Sequence, residues 1–341
     1  MKNRKLLISL TFSVVLFGLF MLGTGIGTAS ADYPERPIEV VVPWGAGGTT
    51  DSVARVFIPI LEEKLGQPMP IQNKSGASGA VGTQYVLDKE ADGYTILVSA
   101  ESPGVMQVMG TADIGFHDFD PVILIVGLIP TLTVSADAPW DTVEEFIQDA
   151  TEKPGELIAA YAGPGTTGHI ASLLFEKYSG LKFTNVPFGD GGKVVTALLG
   201  GHADLQFAPL NSVIEQYRAG SFKLLALFTN DPVKGMEEIT PIGQAIPSFQ
   251  EYMPWGPMMS ILVKKGTPVE MVDKLKVAAS AAMEDERWLK FSDSISGNNL
   301  GYQDEDFWNY VDKWTSVTSW LLYDAGAAQN SPADFDIPRP E

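Results

Sequence analysis

Short β-branched runs alternate with helix-length amphipathic stretches along most of this chain. Ile38 to Val42 reads as a buried strand and Gly45 to Thr50 as a glycine-rich turn. Asp51 to Leu65 reads as a helix, with Val53, Phe57, Ile60, Leu61 and Leu65 on one face and Gly66 ending it. Met69 to Gln72 is a second strand, Ala80 to Glu90 a helix, and Tyr94 to Val98 a strand after the Asp92-Gly93 turn. Strand-like runs recur at 122–126, 132–135, 157–161, 183–186, 205–208, 223–227 and 258–264. Helical patterns fill 143–151, 169–178, 193–199, 212–219, 269–284 and 306–323. Strands separated by helix-length segments argue a parallel α/β architecture. Two α/β lobes suit a chain of 341 residues, since single cores seldom grow beyond about 250–300 residues. Periodicity does not fix the boundary between them. The tail from Gln329, with three prolines, reads as a loose terminal strap.

The N-terminus departs from this pattern. Lys2, Arg4 and Lys5 precede an apolar run from Leu6 to Leu22, and Ala29-Ser30-Ala31 offers small residues for cleavage. This is the layout of a secretory signal peptide, expected to be cut after Ala31. The formal charge is -19, and the leader carries three basic and no acidic residues, so the mature chain would stand at -22. Apolar residues at 45% and charged ones at 19% exclude a disordered, solvating chain. The acidity excludes a broad nucleic-acid surface. Without cysteine there is no disulfide, thiolate metal site or cysteine-linked lipid anchor. A soluble, exported protein is expected.

Two loops share one design. Pro43-Trp-Gly-Ala-Gly-Gly-Thr-Thr-Asp51 follows a strand and opens a helix, as does Tyr161-Ala-Gly-Pro-Gly-Thr-Thr-Gly-His169. Open α/β sheets place ligands at the carboxyl ends of their strands. Glycines let backbone approach a ligand, and the free amides at a helix start donate to an anion. The same residues also suit plain helix capping, with Asp51, Thr50, Thr166 or Thr167 satisfying first-turn amides. Lys74-Ser-Gly-Ala-Ser-Gly-Ala80 and Pro187-Phe-Gly-Asp-Gly-Gly192 are weaker candidates of the same kind, and Trp44 and Trp255 either enclose a ligand or pack.

Enzyme signatures are missing. No phosphate-loop or dinucleotide glycine spacing occurs, and Gly76 to Ala80 falls one residue short of a nucleophile elbow. His117, His169 and His202 show no metal-ligand spacing, and no catalytic partner set is legible around His169. No cofactor and no metal are expected.

An ordered series of motifs carries a family likeness. It runs through Arg36-Pro-Ile38, Val42-Pro-Trp-Gly-Ala-Gly-Gly-Thr-Thr-Asp51, Leu65-Gly-Gln67, Asn73-Lys-Ser-Gly-Ala77 and Ala91-Asp-Gly-Tyr-Thr-Ile96. It continues through Gly163-Pro-Gly165, Val186-Pro-Phe188, Leu198-Leu-Gly-Gly-His-Ala-Asp204 and Lys265-Gly-Thr-Pro268. The chain resembles the extracytoplasmic solute receptors of tripartite tricarboxylate transporters, which include the Bug receptors. The resemblance implies a two-lobed type II periplasmic binding protein, a Venus flytrap with parallel-rich sheets in each lobe. Lobe 1 would combine 32–132 with 250–341, and lobe 2 would span 133–249. It further implies a monomer that captures a small organic carboxylate and passes it transiently to a two-subunit membrane permease.

Ligand-binding residues implied on these motifs are Trp44, Gly47, Gly48, Thr49, Asp51, Ser78, Ala80, Gly165, Thr166, Thr167, His169, Phe188, Asp190, Gly191 and Asp204. Phe188-Gly-Asp190 stands where members more often show Tyr followed by Lys or Arg. A carboxylate there disfavours a second ligand carboxylate, or receives an amine or hydroxyl. The alternatives are a ligand-sensing receptor of a signalling system and a secreted α/β enzyme.

Overall fold

The structure, a computed structural model, describes residues 33–253 and 255–340. The expected leader and its cleavage point lie outside the described residues. Among those described, strands β1 (Glu39–Val42), β2 (Ile71–Asn73), β3 (Thr95–Ser99), β4 (Phe119–Gly127), β10 (Met258–Lys264) and β11 (Asn298–Tyr302) form a six-stranded sheet, ordered β11-β4-β10-β3-β1-β2. A five-stranded sheet, ordered β7-β6-β8-β5-β9, joins β5 (Pro130–Ser135), β6 (Ile158–Tyr161), β7 (Thr184–Pro187), β8 (Leu205–Pro209) and β9 (Phe222–Leu227). The longer helices are α1 (Thr49–Leu65), α2 (Ala80–Leu87), α3 (Val143–Glu152), α4 (Thr167–Ser179), α5 (Gly191–Leu199), α6 (Val269–Met283), α7 (Glu286–Ser294) and α8 (Asp304–Asp324). This is an α/β fold with two sheet-containing lobes.

The expectation of parallel-rich sheets needs correction, because both sheets are mixed. The triads β2-β1-β3 and β7-β6-β8 are parallel. The remaining pairings, β3-β10, β10-β4, β4-β11, β8-β5 and β5-β9, are antiparallel. The cause is the path between sheets. β4 leads the chain out of the six-stranded sheet and β10 brings it back beside β4, so the two neighbours run in opposite directions. The parallel triads still gather the carboxyl ends of their strands, and the glycine loops grow from those ends.

Packing follows the periodicity. α1 buries Val53, Phe57, Ile60 and Leu61, and the left-handed Gly66 closes it with its amide on Glu62 O. Phe57 meets Trp288 of α7 edge-on at 5.1 Å. α8 turns Phe307, Val311, Trp314 and Leu321 inward. Trp255 is a packing residue, stacked on Trp314 and donating from Nε1 to Thr318 Oγ1 at 3.0 Å.

The expected loose tail is corrected as well. The Gln329 and Asn330 amides donate to Val108 O at 2.8 and 3.0 Å. Trp320 Nε1 donates to Ile337 O, Ser316 Oγ to Pro338 O, and Arg339 pairs with Asp324 while covering the Trp320 ring. Proline content correctly suggests irregular backbone there, but says nothing of the polar groups on α8 that hold it.

Candidate functional site

The first glycine loop leaves β1 and turns into α1. Gly48 holds the cap position and supplies no side-chain cap, and the first-turn amides of Thr49, Thr50 and Asp51 have no intrahelical acceptor. Asp51 is not an open ligand group. The residue is 1% exposed, and its carboxylate accepts from the Gly47 amide at 2.8 Å, Arg55 Nε at 2.7 Å and Asn73 Nδ2 at 2.8 Å. Asn73, at the end of β2, also donates to Trp44 O. Burial pushes the Asp51 pKa up, but the hydrogen bonds from Arg55, Gly47 and Asn73 outweigh it and hold the carboxyl below its ordinary range. The acid therefore fixes the loop and leaves the helix amides to point outward.

The Ser78 segment lies against this loop. A Cβ on Gly82 would come within 2.6 Å of Lys74 O and 2.7 Å of Pro43 Cα, so only glycine lets α2 approach so closely. Ala80 is buried in the core. Ser78 sits in the left-handed region at φ 52° and donates from Oγ to Pro164 O, in the second glycine loop, at 3.0 Å.

That second loop joins β6 to α4. The Thr166 hydroxyl donates to Gly163 O at 2.7 Å, so it serves the turn and provides no cap. Gly165, at φ 72°, presses on Met109, whose Cγ would lie 2.9 Å from an added Cβ. Thr167, the first residue of α4, donates from Oγ1 to Glu101 Oε1 at 2.6 Å. Glu101 was not among the residues singled out from sequence. A charged residue just after an apolar strand, before Ser102-Pro103-Gly104, was the signal available.

His169 accepts the Gly165 amide on Nδ1 at 3.2 Å, stacks on Tyr161 at 4.6 Å and is 9% exposed. Burial lowers its pKa from 6.5 to about 4. The sign follows directly: an unfolded chain takes up a proton near 6.5 that the folded one refuses until about 4. Stability is therefore full above the upper value and falls on acidification across the window, by up to about 3 kcal/mol. His169→Gln should abolish that slope. Urea unfolding of both proteins at about pH 7 and about pH 4.5 measures it, and equal pH dependence would refute a neutral buried ring.

The remaining candidates are placed differently. The Phe188 and Gly189 amides donate to Tyr161 O and Ala162 O beside the second loop, and Phe188 packs against the cluster of Ala160, Val194 and Ala203. Asp190 caps α5 through the Lys193 amide and pairs with Lys193 Nζ at 3.1 Å, with Gly191 exposed beside it. Asp204 is not brought to these loops. Its carboxylate accepts the Ile158 amide at the amino-terminal ends of β6 and β8, opposite to where the loops emerge. A cavity of about 250 Å³ lined by residues such as Asp141, Tyr217, Lys223 and Glu238 includes none of the glycine-loop residues. Among the described residues no group of three or more His, Asp or Glu could hold a metal ion.

The glycine loops thus present helix-start amides, a chemistry that suits anions. Comparison with known proteins agrees in kind. Residues 53–305 match the family model described as "Tripartite tricarboxylate transporter family receptor". Protein BugT of Bordetella pertussis is 28% identical over 81% of this chain and 86% of its own length. The R. palustris protein Rpa4515, solved with adipate, is 27% identical with a TM-score of 0.80, covering 86% of this chain and 98% of that one. A solute-binding protein from Polaromonas is 30% identical with a TM-score of 0.66, covering 86% and 99% respectively. With a family model matched across both sheets, the chain belongs to the tripartite tricarboxylate transporter receptor family.

Proposed function

We propose that this chain is a periplasmic receptor that captures a small organic carboxylate between its lobes and delivers it to a two-subunit membrane permease. As a member of a receptor family the chain is a solute receptor and not a catalyst. The carrying observation is that each sheet sends a strand–glycine loop–helix unit from its strand ends, with Ser78, in the segment beside the first loop, bonded to Pro164 of the second. Each helix start favours an anion through its amides and dipole. The adipate held by Rpa4515 supports the carboxylate class. Lobe 1 would be 32–132 with 250–341 and lobe 2 would be 133–249, closing as a clamshell, with the leader removed after Ala31.

Titration calorimetry against C4–C8 carboxylates tests this reading, with saturable binding of at least one acid expected. Thr49→Ala should weaken that binding by about 1–3 kcal/mol if the hydroxyl donates to a desolvated carboxylate. No heat with any acid would overturn the reading, and an unaltered dissociation constant would take Thr49 out of the cradle.

A further inference from the structure

Glu101 follows β3 and is 5% exposed, although it carries an ionisable carboxyl group. Burial raises its pKa, and no cation contributes to its environment; hydrogen bonds from the Thr167 side chain and from the backbone of Thr167 and Glu101 itself oppose the shift. The Thr167 donors open α4, a helix of 13 residues, where partial positive charge concentrates. The carboxyl of one lobe therefore sits where an anion would sit on the other.

Two unpaired donors lie close to Glu101 in sequence or in the first loop. Ser102, 5% exposed, has a buried Oγ without a hydrogen-bond partner among the described residues, and so has Trp44 at Nε1. Both converge on Gly79: a Cβ there would lie 3.1 Å from Ser102 Oγ and 3.2 Å from Trp44 Cζ2. Two buried donors left unpaired in one place are costly unless an acceptor reaches them. Trp44 belongs to the loop that opens α1, so these donors and the α1 amides favour an acceptor on the same side.

We propose that Glu101 is a specificity-determining residue whose carboxyl fills the anion position on α4. The receptor then takes ligands with a single carboxylate, accepted by Trp44, Ser102 and the start of α1, and rejects ligands whose second carboxylate is directed at α4. This rests on the carboxylate-receptor reading above. A second ligand carboxylate would have to expel Glu101 from its donors or lie beside it, and two carboxylates sharing one site disfavour joint ionisation. No cation contributes to the surroundings of Glu101 to relieve that conflict.

The test removes the resident carboxyl. Glu101→Ala frees the α4 donors, whereas Glu101→Gln keeps the position filled. Thermal unfolding of the purified protein is followed with formate against chloride at equal ionic strength. Formate should raise the melting temperature of Glu101→Ala saturably, by several degrees more than it raises that of the wild type or Glu101→Gln. Calorimetry with adipate and hexanoate, matched in length, should show the adipate-to-hexanoate affinity ratio rising at least tenfold in Glu101→Ala. Glu101→Ser, which also empties the position, serves if the alanine variant does not fold.

Equal formate responses in all three proteins, no response in the emptied variants, or an unchanged affinity ratio would each overturn the proposal. If no variant binds either acid or any other of the C4–C8 series, the receptor reading fails. The formate result still decides whether Glu101 holds the α4 position.

Discussion

Phe175→Ala should lower the unfolding free energy by about 3–5 kcal/mol, the range for deleting a fully buried aromatic ring. Phe175 is 0% exposed and stands at the centre of a ring cluster: Phe207 at 5.4 Å, Phe146 and Phe183 at 6.1 Å, and Phe249 at 6.2 Å. Those neighbours come from α3, the approach to β7, strand β8 and the segment returning to β10. Four separate anchorages cannot all move inward to close one gap, so the cavity persists and its cost adds to the lost transfer energy. Phe175→Leu keeps much of the volume and should cost about 1–2 kcal/mol. Urea titration of both variants measures the difference, and a loss under about 1 kcal/mol for the alanine would mean that the cluster collapses.

Asp51→Ala should cost about 2–4 kcal/mol, since it strands the Gly47 amide and the Asn73 side chain beside a buried position. Arg55, whose side chain is 53% exposed, keeps its water and adds little. The pH dependence separates this effect from simple loss of packing. The folded carboxyl is held below its ordinary 3.8. Its contribution is therefore fully present above that value and disappears as pH falls through the lower folded value. The gap between wild type and Asp51→Asn should be constant from about pH 8 to about pH 5 and narrow in stronger acid. A constant gap into acid would mean that the carboxylate charge does not matter.

Local order was legible where it depends on neighbours in sequence. The 3–4 spacing of Val53, Phe57, Ile60 and Leu61 predicts α1 and its buried face, and Gly66 predicts its end. Strand-end glycines mark both loops because turn chemistry is local. Pairing direction was not legible, because β10 inserts between β3 and β4 from far along the chain. Strand β11, Asn298–Tyr302, was missed because its exposed polar residues and the left-handed Gly301 leave no alternation to read.

At the candidate site, residue types marked the two glycine loops while individual roles stayed open. Asp51 reads equally as cap or ligand group until Arg55 and Asn73 are seen to saturate it. Glu101 could not be interpreted because its partner Thr167 lies 66 residues away.

The place of β10 in the six-stranded sheet has a consequence for assembly. β3 and β4 both use it as their neighbour, so neither gains that partner until the chain has been made past Lys264. The strands of the five-stranded sheet all lie between Pro130 and Leu227, so they are complete earlier. During synthesis the first-made third of the molecule therefore waits with β3 open on one edge and β4 on both, since β11 is made later still, and open edges are templates for pairing with other chains. A chain built this way benefits from being kept unfolded until its C-terminal third has emerged.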